Sequence, residues 1–290
     1  MMGIDKRVTL SNGVKMPYLG FGVFKLGDGE ETKNAVKIAL ETGYRGIDTA
    51  SYYGNEESVG RAIKESGIQR DNLFITSKVW NDEQGYNATL RAFERSLERL
   101  GTDYLDLYLI HWPVPGMYPE TWQALEKLYH EGKVCAVGVS NFEPHHLEAI
   151  SKISSVKPVI NQIEFHPELL QGEVRDYCLS KGIQVEAWSP LKRGQVLNDP
   201  VIRAIGKQYG KTPAQVVLRW CLQHEIVLNV KSAHEERIKE NADLFDFELT
   251  KEDMVSIDSL HADNRIAHHP DNLDFYEKTV PGFKKSQYSS

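Results

Sequence analysis

The chain has 290 residues, 41% of them hydrophobic and 26% charged, a composition that excludes a disordered, fibrous or low-complexity protein. Its formal net charge of −7 argues against broad nucleic-acid binding, which needs an excess of Lys and Arg facing phosphates. Three cysteines (Cys135, Cys178 and Cys221) without a CxxC pair give neither a disulfide framework nor a zinc site, and they read as small buried hydrophobes.

The N-terminus MMGIDKRVTL carries no apolar run of signal-peptide type, and no segment approaches the ~20 apolar residues of a membrane span. A cytoplasmic protein without a membrane partner is expected. "RVTLSNGVKMP" places two short strand-like runs around Asn12-Gly13, a pair that tolerates positive φ, and predicts a β-hairpin at about 7–16. Strand-like runs then alternate with helical patterns. YLGFGVF precedes a helix at 30–42, GIDTA one at 55–66, LFITSKVW one at 87–100, and DLYLIHW one at 119–131. VCAVGVS leads to 144–152, PVINQIEF to 171–181, IQVEAWS to 198–208 and 213–224, and IVLNVKS to 234–243. Thr212-Pro213 reads as an N-cap with Pro at the first helical position, and Gly132 and Gly182 as C-terminal glycines.

Eight strands rich in β-branched residues, each followed by a helix, imply parallel pairing through right-handed crossovers. The pattern fits a (β/α)₈ TIM barrel with an N-terminal hairpin and an extra C-terminal helix, and a doubly wound open sheet shares it locally. No Pro-, Gly- or Ser-rich linker divides the chain, so one domain over 1–290 is expected, with a poorly ordered polar tail at about 279–290. An acidic helix at 250–259 reads as a solvated face closing one barrel end.

A barrel builds its chemistry at the C-terminal ends of its strands. In "GIDTASYYGNE" the second strand ends at Asp48; the third ends at Lys78 and the fourth at His111, so an acid, a base and an imidazole converge on one rim. Tyr53 follows in the loop after Asp48, with Tyr52 as its neighbour and competitor. His145-His146 and His268-His269 lack partners at zinc-ligand spacing and read as exposed loop or helix-start residues, so no metal is expected.

Over roughly Val8 to Val280 the sequence resembles the aldo-keto reductase superfamily. Gly43 to Asp48 with Tyr53-Gly54-Asn55-Glu56, "ITSKVW", "YLIHWP", "GVSNF", "NQIEFHP" and "AWSPL" follow in the family's order. Among its members the chain is most similar to bacterial reductases of the glyoxal, methylglyoxal and diketogluconate type. The resemblance implies NADP-dependent hydride transfer to a small carbonyl substrate, in a monomer. Tyr53 would be the general acid, its pKa drawn toward neutrality by Lys78; Asp48 would hold the lysine, and His111 would steer the carbonyl oxygen. Family spacing to Asn55-Glu56 selects Tyr53 over Tyr52.

The only early glycine cluster, Gly20-Phe21-Gly22, lacks the third glycine and the following helix of the Rossmann fingerprint. The resemblance puts the dinucleotide across the rim instead. Ser140, Asn141 and Gln162 would bind the carboxamide, and Trp188 would stack on the ring. Gly22, Val23, Asp48, Ser189 and Leu191 would line its path, with Lys192 or Arg193 near the pyrophosphate. "KSAHEERIKEN" would supply Lys231, Ser232 and Arg237 to a 2′-phosphate and Glu240 and Asn241 to the adenine, favouring NADPH. Leu228-Asn229-Val230 replaces the family's usual Ile-Pro before Lys231, so NADH remains possible. Phe24, Trp80 and Trp112 would wall the carbonyl site beside His111, suiting small aldehydes and α-dicarbonyls. The alternatives are a keto-sugar-acid reductase, alcohol oxidation, or an NADPH-binding barrel without turnover.

Overall fold

A computed structural model describes residues 3–288. Strands β1 (Arg7–Thr9) and β2 (Lys15–Pro17) pair antiparallel as the hairpin, with Gly13 at φ 87° in its turn. Eight further strands follow: β3 (Leu19–Gly22), β4 (Gly46–Asp48), β5 (Phe74–Val79), β6 (Leu105–Ile110), β7 (Val134–Ser140), β8 (Ile160–Glu164), β9 (Gln184–Trp188) and β10 (Val227–Val230). They pair in parallel in chain order, and β10 returns to β3 to close the barrel. Closure decides against the open sheet.

The helices are α1 (Glu30–Thr42), α2 (Glu56–Ser66), α3 (Tyr86–Leu100), α4 (Tyr118–His130), α5 (Pro144–Ser151), α6 (Gly172–Lys181), α7 (Pro200–Tyr209), α8 (Pro213–Gln223), α9 (Glu235–Glu240), α10 (Lys251–Asp258) and α11 (Leu273–Thr279). Local chemistry sets their ends. Thr212 accepts from the Gln215 N–H while Gln215 reaches back to the Thr212 N–H, a reciprocal cap with Pro213 at the first helical position. Gly182 ends α6 at φ 68°, where a side chain would be strained. No helix among the described residues is long and apolar enough to cross a membrane.

Period-two alternation sorts every barrel strand into two faces. Ile75, Tyr108, Ile110, Val137, Val139, Ile163, Val185 and Leu228 join the large apolar layer beneath the helices. Phe74, Leu107, Leu109, Ala136, Ile160 and Val227 instead meet Leu10 and Met16 of the hairpin in a separate cluster. The hairpin therefore plugs the N-terminal end of the barrel with apolar side chains. Gly138 lets β7 approach this cluster closely, since a Cβ there would sit 2.5 Å from the Ile160 methyl.

One expectation changes. Helix α10 does not close a barrel end: Asp253 accepts from Tyr209 Oη at 2.5 Å and Asp258 from the Trp220 indole at 2.8 Å, tying it to the flank formed by α7 and α8. The tail packs as far as Tyr288, whose ring stacks on Phe283 at 5.1 Å, while Phe283 in turn meets buried Tyr276. Two aromatic rings give this polar stretch apolar contacts that an average over its composition conceals. Residues 289–290 of the expected loose tail lie outside the described residues.

Candidate active site

Asp48 ends β4, Lys78 is the penultimate residue of β5, and His111 directly follows β6, so adjacent parallel strands carry all three to one rim. Lys78 is fully buried and spends its three donors on Asp48 Oδ1 at 2.6 Å, the Thr49 carbonyl at 3.0 Å and Tyr53 Oη at 3.3 Å. A 3₁₀ turn at Ser51–Tyr53, stopped by Gly54 at φ 68°, folds the tyrosine back over the mouth. Buried Asn55 fixes that turn by donating to the Val23 and Leu26 carbonyls and accepting from Thr49 Oγ1. Tyr52 also lines the cavity but makes no bond to Lys78. It lies on Trp80 at 3.7 Å and is half exposed, so only Tyr53 shares the lysine.

Burial alone would lower the Lys78 ammonium, but the Asp48 carboxylate beside it and the Tyr53 phenol push it above its usual range. Burial raises Tyr53 to about 12, against the downward pull of Lys78. Desolvation opposes the expected drift of this phenol toward neutrality and outweighs the pull of the Lys78 charge. Its proton stays on. Burial and the Lys78 charge hold His111 well below the usual histidine range, as a neutral imidazole. Its Nδ1 is buried with no partner among the described residues, and we assign the proton to Nε2 because an unmet acceptor costs less than an unmet donor.

Asp48, Tyr53 and His111 floor one end of a cavity of about 1110 Å³, with Lys78 buried behind them. Phe24, Trp80 and Trp112 wall that end, and Phe275 joins them at 4.9 Å from Trp112. Ser140, Asn141, Gln162 and Trp188 line the middle. The Trp188 indole donates to Asn141 Oδ1 at 2.9 Å, and Asn141 Nδ2 donates to the His111 carbonyl at 3.0 Å. Gly22, Ser189 and Leu191 continue the wall toward Lys231, Ser232, Arg237, Glu240 and Asn241 at the far end. Lys231 and Arg237 are exposed, and neither makes an ion pair with a described residue. Such a channel fits a nicotinamide dinucleotide phosphate: amide and hydroxyl groups at one end for a carboxamide, free cations at the other for a phosphate.

Two expected contributors sit elsewhere. Val23 is buried behind the wall, its N–H donating to the Asp48 carbonyl and its carbonyl accepting from Asn55. Lys192 turns away from the cavity into an ion pair with Glu168, leaving Arg193 as the lining cation of that loop. His146 is buried rather than exposed, and Asp271 comes within hydrogen-bond reach of both it and His145. This trio is poorly arranged for a metal. His146 Nδ1 accepts the Glu143 N–H as part of the α5 cap, so its proton occupies Nε2, the nitrogen that faces Asp271.

The sequence reading missed the segment Arg265 to His268, which also lines the cavity. Glu164, buried at the end of β8, grips it by accepting from the Ile266 N–H at 2.7 Å and the Ala267 N–H at 3.2 Å. The available signal was an acid at a strand end, Glu164 in "NQIEFHP", but its partners lie about a hundred residues away.

The sequence profile of the aldo/keto reductase family matches residues 18–262. Glyoxal reductase of Bacillus subtilis (strain 168) is 59% identical over 268 residues, covering 92% of this chain and 97% of that protein. Among solved structures, a Gox0644 mutant in complex with NADPH superposes with a TM-score of 0.88 at 43% identity, covering 92% of this chain and 98% of that one. The Bombyx mori aldo-keto reductase in complex with NADP gives 0.87 at 35% identity, covering 97% and 99%.

Proposed function

This chain belongs to the aldo/keto reductase family, and from that premise we propose that it reduces small aldehydes and α-dicarbonyls such as methylglyoxal to alcohols, using NADPH. The reading is carried by one observation: Tyr53 Oη lies 3.3 Å from a fully buried Lys78 that is itself held by Asp48 at 2.6 Å. When bound, NADPH supplies the hydride.

The chain's own residues do the rest. A carbonyl oxygen at the mouth accepts from Tyr53 Oη and from His111 Nε2–H, two donors aimed where negative charge develops. Tyr53 gives its proton to the oxygen, and the Lys78 ammonium stabilises the phenolate left behind. Asp48 keeps Lys78 charged and fixed. Aromatic walls from Phe24, Trp80, Trp112 and Phe275 exclude water and accept compact carbonyls with few polar groups. Ser140, Asn141 and Gln162 would hold the carboxamide and Trp188 would stack on the nicotinamide, while Lys231, Ser232 and Arg237 would receive the 2′-phosphate and Glu240 and Asn241 would face the adenine. The similarity to Bacillus subtilis glyoxal reductase supports the substrate class, and the NADPH-bound Gox0644 mutant supports the cofactor.

The test pairs NADPH absorbance loss with methylglyoxal against fluorescence quenching on NADPH addition. Oxidation together with quenching is expected. Quenching without oxidation across a panel of aldehydes and dicarbonyls would make the protein a binding module and overturn the reading.

A further inference from the structure

Glu186, at the centre of β9, is fully buried inside the barrel and takes no part in the reaction described above. Its inward position follows from alternation, with Val185 and Ala187 facing the helices. Oε2 accepts from Gln162 Nε2 at 2.8 Å, and Oε1 accepts from Asn229 Nδ2 at 2.6 Å. The same Gln162 nitrogen donates to Asp48 Oδ2 at 2.9 Å. One primary amide thus bridges two carboxyl groups, which leaves its oxygen with no donor among the described residues in a side chain that lines the cavity. A continuous chain runs Asn229, Glu186, Gln162, Asp48, Lys78, Tyr53.

We propose that Glu186 is a positioning residue that sets, through Gln162 and through its own charge, how strongly the site prefers the oxidised over the reduced nicotinamide. The inference rests on the placement of the nicotinamide against Gln162 given above. The physical ground is a charge count. Asp48 and Lys78 cancel, so the barrel floor is neutral while Glu186 holds a proton and carries one net negative charge once it loses it. The oxidised ring is a cation and the reduced ring is neutral, so only the former gains from that added charge.

The transition falls in an accessible range, because burial and the nearby Asp48 carboxylate push Glu186 up to about 8, against hydrogen bonding from Gln162 and the Lys78 charge. Those are its charged neighbours; the Tyr53 phenol, raised to about 12 by burial, is uncharged in this range. Among the inward residues of the other strands, Gly20 and Gly22 on β3, Leu107 and Leu109 on β6, Gly138 on β7 and Asn229 on β10 carry no charge, and the one further acid, Glu164 at the end of β8, is engaged by His166 and by the Ile266 and Ala267 N–H groups. His111 above β6 is neutral. Asn229 Nδ2 donates to Glu186 Oε1 at 2.6 Å, so the carboxyl and the amide form one hydrogen-bonded unit.

Fluorescence-quench titrations of NADP⁺ and NADPH from pH 6 to 9.5 test this, because protonation of the 2′-phosphate affects both ligands equally and cancels in their ratio. In the wild type, the affinity ratio of NADP⁺ to NADPH should rise by about fivefold or more across the range. Glu186→Gln should bind both ligands with a ratio that does not vary with pH, and a ratio still rising in that variant would overturn the proposal. A second measurement needs only the wild type: calorimetry at pH 8 in two buffers of different ionisation enthalpy should show NADP⁺ releasing a fraction of a proton more than NADPH. Equal release would also overturn it. If neither dinucleotide binds, the cofactor reading falls together with this one; if both bind with a flat ratio, only the role of Glu186 falls.

Discussion

The two ends of the cavity are built on opposite principles. At the proposed reaction end, Asp48, Lys78 and His111 are buried, and every Lys78 donor is already committed within the protein. At the proposed phosphate end, Lys231 and Arg237 are exposed and form no ion pair with a described residue. The first arrangement keeps charges desolvated and fixed before any ligand arrives, as stabilising a developing oxyanion requires. The second leaves cations hydrated and unclaimed, so that an incoming phosphate meets little competition. Pre-organisation serves the reacting atoms, while openness serves the anchor.

Removing one charge from each end should break this contrast most visibly. Lys78→Met strands the Asp48 carboxylate in the barrel and should cost about 3–5 kcal/mol of stability, measurable by denaturant unfolding. Adding Asp48→Asn to that variant should recover part of the loss, and no recovery would mean that the pair is not the source. Arg237→Ala should leave stability nearly unchanged but weaken NADPH by roughly ten- to hundredfold, with NADH affected far less, because a bond to a charged group is worth about 1.5–3 kcal/mol. Equal losses for both dinucleotides would contradict the phosphate assignment.

A smaller effect comes from acid. His111 is held neutral by burial and by the Lys78 charge, and burial with the neighbouring His145 lowers His146 to about 4. Each takes up a proton more readily when unfolded. Their contribution to stability is therefore complete above pH 6.5 and declines as pH falls below it, by up to about 1.4 kcal/mol per pH unit for a fully neutral group. Glu186, raised to about 8 by burial, acts in the opposite sense over the same window, so the check is a difference: His146→Gln should lose less stability than the wild type when unfolding midpoints are measured from pH 7 to 5.

Much of this was legible in the sequence because periodicity and strand ends are local. The eight strands, the hairpin turn at Asn12-Gly13 and the rim positions of Asp48, Lys78 and His111 all follow from alternation and from where each run stops. Long-range polar pairing was not legible. Lys192 reads as a pyrophosphate ligand until Glu168 claims it, and the loop from Arg265 to His268 has no periodicity to announce its place over the mouth. His146 resembles a surface histidine until its ring completes the cap at Glu143. Glu186 was visible as an acid among apolar neighbours in "IQVEAWS", yet its meaning depends on Gln162 and Asn229, which only barrel closure brings to it.

The central claim is that the phenol bonded to Lys78, and not its neighbour, delivers the proton. Turnover of Tyr53→Phe beside Tyr52→Phe, with NADPH affinity measured on both, tests it most directly. The account predicts a loss in kcat of about 10²–10⁴-fold for Tyr53→Phe, at nearly unchanged NADPH affinity, against a change of only a few-fold for Tyr52→Phe. Near-normal turnover in Tyr53→Phe, or a collapse confined to Tyr52→Phe, would contradict it.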